Sequence, residues 1–352
     1  MDRFIGIDTH SASCTFVVLG PSGKRLAEQV VETNAGAIRK FIGAVHGQRY
    51  ICFEEGTHSA WLYEILEPLA QRVVVAQPRQ RQGMKNDSRD ALALAEALRT
   101  GAIRNPIYKA PGQFSMLRQA VRGYDVVLRD MVRAKNRLRA VYRSRGLDPG
   151  SKIYDPAERA PWLEQLPAAA RRLAALLSAE LDALTAQHEA AEAWLLAETR
   201  RVKEVRLLCS APGIGPIRAS QIVARVVTPY RFRQKQQFWS YCGLAVVTRS
   251  SSDWLRNAQG QWERRPIVQT RGLNRNRQPM LKAVFKGAAL SVIIAGTPQP
   301  LYQDYQRLLQ SGVKPNLARL TLARRIAAAV LAMWKNKEAY RPEKHCRVPA
   351  AT

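Results

Sequence analysis

Over the first hundred residues, short apolar runs alternate with amphipathic stretches. Residues 4–8 and 15–19 are apolar runs of strand length, and the first ends in Asp8. The turn cluster GPSGK at 20–24 leads to a third strand-like stretch, residues 26–31. Asn34 is a suitable N-cap for a helix reaching about residue 46. Residues 50–53 then read as a buried strand, 59–70 as a helix, 73–76 as a strand, and 87–100 as a helix with an Ala/Leu face. This order of three strands, helix, strand, helix, strand and helix predicts an α/β domain, a mixed sheet with flanking helices.

Beyond it the period becomes helical. Residues 114–145 carry an apolar stripe of Leu117, Val121, Leu128, Val132 and Leu138. Four prolines mark residues 148–167 as a hinge or linker. In the Ala- and Leu-rich stretch 168–205, the spacing of Leu177, Leu181, Leu184, His188, Ala191 and Leu195 predicts a coiled-coil seam with His188 a core polar residue, pairing helices between subunits first, with packing within one chain the alternative because the run is under three heptads. The remainder reads as mainly α, with a polar, arginine-rich stretch between about residues 241 and 279. The expected parts are 1–112, a helical coiled-coil connector over 113–205, and 206–352.

Charge narrows the function. Among 352 residues, 55 Lys and Arg face 28 Asp and Glu, a net +27 in a chain of globular composition. Such an excess points to a polyanion, nucleic acid first, ahead of a basic membrane-surface protein or a very soluble enzyme. It is also localised. Residues 202–352 hold 26 basic against 6 acidic residues, and residues 114–145 hold nine against two. The candidate nucleic-acid contacts are Arg118, Arg122, Arg129, Arg133, Lys135 and Arg137 on the helix, with Arg249, Arg256, Arg271, Arg275 and Arg277 in the last part. The five scattered cysteines form no CxxC pair, which argues against a disulfide framework or zinc ribbon and fits a reducing cytoplasm. No apolar run approaches the ~18 residues of a membrane span, and the first residues lack the apolar region of a signal peptide. A soluble cytoplasmic protein without a membrane partner is expected.

The acids stand at element ends. Asp8 closes the first strand, Glu54 and Glu55 close the fourth, and Asp87 and Asp90 open the last helix on one face. Converging at one sheet edge they would repel, and a hard divalent cation such as Mg²⁺, which also bridges to phosphates, relieves that repulsion. The bland reading makes Asp87 an N-cap, Asp90 its capping-box partner and Glu55 a solvated strand end. Glu54 competes with Glu55, because strand neighbours point to opposite faces.

FIGIDTH, FEEGTH and KNDSRDALALAEALR resemble the RuvC-like, RNase H-fold domain of DEDD-type bacterial transposases of the insertion-sequence-110 family, relatives of the Piv-type DNA invertases. PGIGP, FWSYCGLAVVTRSS, TRGLNR, AVFKGAA and YQDYQRLLQSGVKP are similar to the C-terminal domain of the same family, so the resemblance covers nearly the whole chain. His58 departs from a family glycine. The resemblance implies Asp8, Glu55, Asp87 and Asp90 as the ligands of Mg²⁺ or Mn²⁺. It implies Ser251 as a nucleophile on DNA, with Ser250 and Ser252 as its rivals in register; the metal-bound carboxylates could activate that weak nucleophile. It further implies donor and target DNA as substrates, a circular excision intermediate, a dimer or tetramer, a structured guide RNA from the element, and a nucleoid-associated life in a bacterium. Around Gly213 and Gly215 the PGIGP segment fits half of a helix-hairpin-helix or a plain packing corner. Two rivals remain: a junction-resolving endonuclease that uses the carboxylates alone, and a non-catalytic nucleic-acid-binding protein.

Overall fold

The computed structural model describes residues 1–78, 86–103, 106–107, 114–248, 254–264 and 270–345. The chain divides into two compact units, Met1–Gln113 and Phe114–Thr352.

In the first unit, β1 (Asp2–Thr9), β2 (Ser13–Leu19), β3 (Arg25–Glu32), β4 (Gln48–Glu54) and β5 (Arg72–Ala76) form one sheet in the order β3-β2-β1-β4-β5. The β1, β2 and β3 strands run antiparallel, and β4 and β5 join parallel to β1. Period-two alternation splits the side chains between two faces. Ile5, Ile7, Phe16, Ile51 and Phe53 pack under α1 (Ala35–Ala44) and α2 (Ser59–Leu66). Val17, Leu19 and Cys52 meet α3 (Asp87–Arg99) through Ala91, Ala95 and Leu94. The predicted element order is observed, and Asn34 caps α1 as expected, its side chain accepting from the Ala37 N–H at 2.8 Å. The α3 helix lies directly on β1 because Gly6 has no side chain: a Cβ there would stand 2.6 Å from the Ala95 nitrogen and closer still to the Ala91 oxygen.

The second unit is mainly helical. Its α4 (Ser115–Arg143) and α6 (Ala168–Thr199) form an antiparallel hairpin, with α5 (Ala160–Glu164) at the bend. Two expectations change here. The heptad seam is occupied within the chain: Leu181 is buried with Ala134 and Leu138 of α4, and the His188 ring lies 5.0 Å from Tyr124. A heptad pattern records that a helix has a partner, not whose partner it is. The proline-rich stretch 148–167 is folded onto the same hairpin, since Ile153 and Leu166 are buried and Arg159 makes a bidentate pair with Asp182 at 2.6 and 2.8 Å. Val132, placed in the apolar stripe by its spacing, is 48% exposed, and Tyr124, Ala134 and Tyr142 fill that face instead.

After α7 (Lys203–Leu208) come α8 (Pro216–Val226), α9 (Lys235–Tyr241), α10 (Pro279–Ala295), α11 (Pro300–Gln310) and α12 (Pro315–Asn336). One core joins Leu117 and Val121 of α4 to Ile222 of α8, Phe285 of α10 and Ile326 of α12. The arginine-rich stretch contains short strands: β6 (Val246–Thr248) pairs with β9 (Thr270–Leu273), and β7 (Trp254–Arg256) with β8 (Trp262–Arg264). Gly213 (φ 71°) brings its backbone against the Ala288 carbonyl of α10, where a Cβ would collide, so the PGIGP turn serves as a packing corner. Among the described residues no single helix is long and apolar enough to cross a membrane.

Candidate active site and nucleic-acid surface

The parallel pairing of β1 with β4 sets their carboxyl ends at one edge of the sheet, with Ile7 abreast of Phe53. Asp8 is the next residue and is only 7% exposed. Its alternation partners Gly6 and Cys52 face α3, so Asp8 points to the α3 side. The same alternation brings Glu54, the last residue of β4, to that side. Glu55 steps off the strand end, its N–H donating to the Ala76 oxygen at 2.9 Å.

The first turn of α3 delivers Asp87 and Asp90. The cap is Asn86, whose side chain accepts from the Arg89 N–H at 3.1 Å. Neither aspartate therefore has the capping role of the bland reading, and both carboxylates lie where the helix dipole favours negative charge. The His10 Nε2 stands 3.2 Å from Asp8 Oδ2 and 3.2 Å from Asp87 Oδ1. Among the described residues, Asp8, His10 and Asp87 offer donor atoms all within 4.8 Å of one another. Glu55 and Asp90 are not in that group. His10 escaped the sequence reading, although its signal was there: two residues beyond Asp8, it shares that residue's face of an extended chain. Two carboxylate oxygens and an imidazole nitrogen, one carboxylate being buried, form a donor set that fits a divalent ion. Behind them, burial pushes the Cys14 thiol up from its usual value, with the Asp8 charge adding to the effect while bonds to Thr33 and Thr9 oppose it. Neutral and fully buried, Cys14 is packing.

In the second unit, Ser250, Ser251, Ser252 and Arg249 lie outside the described residues, as does the side chain of Arg271. The approach to the serines is fixed. The Leu244 oxygen accepts from Arg324 Nε at 2.6 Å, and the Leu244 N–H donates to the Trp239 oxygen at 2.8 Å. Gly243 (φ 69°) has no room for a Cβ because the Arg277 chain lies across it. Arg277 also lines a polar groove of about 730 Å³ with Arg231, Tyr241, Asn274 and Gln278. The Arg231 guanidinium sits 5.1 Å over the Tyr241 ring. Burial first, then the charges of Arg277 and Lys286, lower the Lys282 ammonium from its usual value.

On α4, Arg122, Arg129, Arg133 and Arg137 are exposed and Arg118 half-buried. At 3.6 residues per turn all five fall in a sector of about 100°. Arg133 and Arg137 are tied to Asp130 and Glu180 at 3.0 and 2.6 Å. Lys135 lies on the other side, 5.4 Å over the Tyr154 ring. A groove of about 240 Å³ brings Arg118, Arg122 and Arg129 together with Arg225 of α8, which the sequence reading did not single out. Arg256 stacks 5.2 Å over Trp262, and Arg275 is exposed.

The sheet order, with acids at its edge and helices on both faces, is consistent with the RNase H-fold class in its RuvC-like form. A family model described as Transposase, of the DEDD type of IS110, matches residues 5–144, and one described as Transposase IS116/IS110/IS902 family matches residues 205–303. The chain belongs to the IS110 transposase family. It is 24% identical over 274 residues to the protein named "Putative transposase y4pF/y4sB" of Sinorhizobium fredii (strain NBRC 101917 / NGR234), across 76% of this chain and 66% of the relative's length.

Proposed function

We propose that the protein is a DNA transposase whose carboxylate edge holds a divalent ion while a serine of residues 250–252, Ser251 first, attacks the DNA. The observation that carries this reading is the meeting of Asp8 and Asp87 from sequence-distant elements, with an imidazole between them, in a chain of a transposase family. Asp8 and Asp87 would bind the ion, Asp90 would complete the helix face, and Glu55 would supply the carboxylate just past the end of β4. Glu54 is the second candidate for that role, because strand alternation brings it to the side of Asp8. The ion, Mg²⁺ or Mn²⁺, supplies Lewis-acid polarisation of a phosphodiester and neutralises its charge.

In the proposed step, the serine hydroxyl gives up its proton as its oxygen forms a bond to phosphorus, the ester bond on one side breaks, and the leaving oxygen takes up a proton to become a hydroxyl. The phosphoserine link conserves the ester bond, so the ends can be rejoined without hydrolysis. The exposed arginines of α4 and the Arg231–Arg277 groove would hold phosphates and stack bases. Guidance by a structured RNA and assembly as a dimer or tetramer rest on the family resemblance, and sequencing the RNA that co-purifies with the protein tests the first.

A suicide DNA substrate in Mg²⁺ or Mn²⁺ tests the chemistry. A covalent protein–DNA adduct is expected. It should vanish when Ser250, Ser251 and Ser252 are all replaced by Ala, and when Asp8→Asn is introduced. Cleavage without an adduct would favour the resolvase-like alternative, in which water replaces the serine. An adduct that survives the triple replacement would eliminate the serine mechanism.

A further inference from the structure

The imidazole of His10 is placed differently from an ordinary surface histidine. Its Nε2 lies 3.2 Å from one carboxylate oxygen of Asp8 and 3.2 Å from one of Asp87, on two different elements. Cis ligands of an octahedral ion at about 2.1 Å stand about 3.0 Å apart, so the imidazole nitrogen already has a neighbouring ligand's spacing from each of the two carboxylate oxygens. The backbone beneath the ring is held at both ends. The His10 N–H donates to the Ser13 oxygen at 2.9 Å, and the His10 oxygen accepts from Thr33 Oγ1 at 2.8 Å. The imidazole is thus carried by the anchored start of the β1–β2 turn, while Asp8 is buried beside it. With a side chain 31% exposed, the ring remains reachable from solvent.

We propose that His10 is a direct ligand in the carboxylate site, adding an imidazole nitrogen that makes the site prefer a first-row transition ion such as Mn²⁺ over Mg²⁺. The preference follows from donor chemistry. Mg²⁺ favours oxygen ligands and retained water, whereas imidazole suits the later first-row ions, whose affinities rise along the Irving–Williams order. This inference rests on the metal site of the proposed function and goes beyond it by adding a ligand and a selectivity.

The test is Mn²⁺ binding to the full metal-free chain, read by electron paramagnetic resonance, with Mg²⁺ as competitor. Pulsed measurements on the wild type should show hyperfine coupling to a directly bound ¹⁴N. His10→Gln should abolish that coupling, raise the Mn²⁺ dissociation constant by at least about tenfold, since even an outer-shell partner of a metal site contributes that much, and leave Mg²⁺ affinity nearly unchanged. Bound Mn²⁺ without nitrogen coupling in the wild type, or an unaltered Mn²⁺ constant in His10→Gln, overturns the inference. Such a result would instead make His10 a hydrogen-bonding bridge between the two carboxylates. Asp8→Asn separates the two levels of the argument. If it removes Mn²⁺ binding while His10→Gln changes nothing, the carboxylate site stands and the histidine ligand fails. If Asp8→Asn leaves Mn²⁺ binding intact, the metal reading itself fails, and this inference with it.

Discussion

Gly6→Ala is the smallest change that tests how the fold builds the site. Gly6 lies in the central strand, paired with Val17 on one side and Cys52 on the other, so the strand has little freedom to retreat. The new methyl would stand 2.6 Å from the Ala95 nitrogen, against an ordinary contact of about 3.5 Å, and the overlap with the Ala91 oxygen is larger. The α3 helix must therefore lift by about 1 Å or more. That lift loosens Ala91, Leu94 and Ala95 from the sheet, and such overpacking costs about 1–3 kcal/mol. The lower backbone entropy of the unfolded alanine chain offsets at most about 1 kcal/mol of this. Asp87 rides on the first turn of the displaced helix while Asp8 stays with the strand. Because Mg²⁺ tolerates little departure from octahedral geometry, divalent-ion affinity should fall at least about tenfold. Hydrogen exchange of the α3 amides and Mn²⁺ titration read the two effects separately. Gly43→Ala, on α1 with nothing within 4 Å of its would-be Cβ, is the control and should be neutral or stabilising by up to about 1 kcal/mol. Unchanged α3 protection and ion affinity in Gly6→Ala would refute the argument that this contact positions the acids.

Other outcomes follow from the second unit. Asp125, 4% exposed, accepts from Gln221 Nε2 at 2.8 Å and pairs with Arg225, so Asp125→Ala should destabilise by about 3–5 kcal/mol in urea titration. Arg159→Ala removes the bidentate partner of Asp182 and should expose residues 148–167 to limited proteolysis before the rest of the hairpin. Replacing Arg122 and Arg129 by Gln should reduce the slope of log affinity for DNA against log salt by about 2, with little change in sequence preference. Burial holds the Cys242 thiol far above its usual value, so the unfolded chain loses that proton first as pH rises. The stability from Cys242 is thus complete below about pH 8.5 and declines above it, and Cys242→Ala should flatten the fall in urea midpoint between about pH 8.5 and 10.

What the sequence made legible has physical limits. The order of the first unit is readable because each strand and helix there buries a face of the expected period. The site is partly readable, since acids at element ends are visible while the pleat that groups them is not. His10 and Asp8 share a face only once the chain past β1 is known to stay extended, and Glu54 competes with Glu55 until register is known. In the second unit, proline count outweighed Ile153 and Leu166, whose burial turns the supposed linker into part of the hairpin. The three-residue strands β6, β7 and β8 are too short for any period to show. The spacing on α6 marked a face that packs, and within the chain it packs on α4.

The division of contacts has a consequence for synthesis. Every strand and helix of the first unit, and both turns that pin His10, lie within Met1–Gln113. The sheet thus needs nothing from later residues to close, and domains generally fold as units, N-terminal first, as the chain is made. The half that gathers the acids is therefore the first to leave the ribosome with all of its elements. A newly made chain therefore exposes its carboxylate edge before its basic helices, so that edge can assemble before those helices emerge to attract nucleic acid.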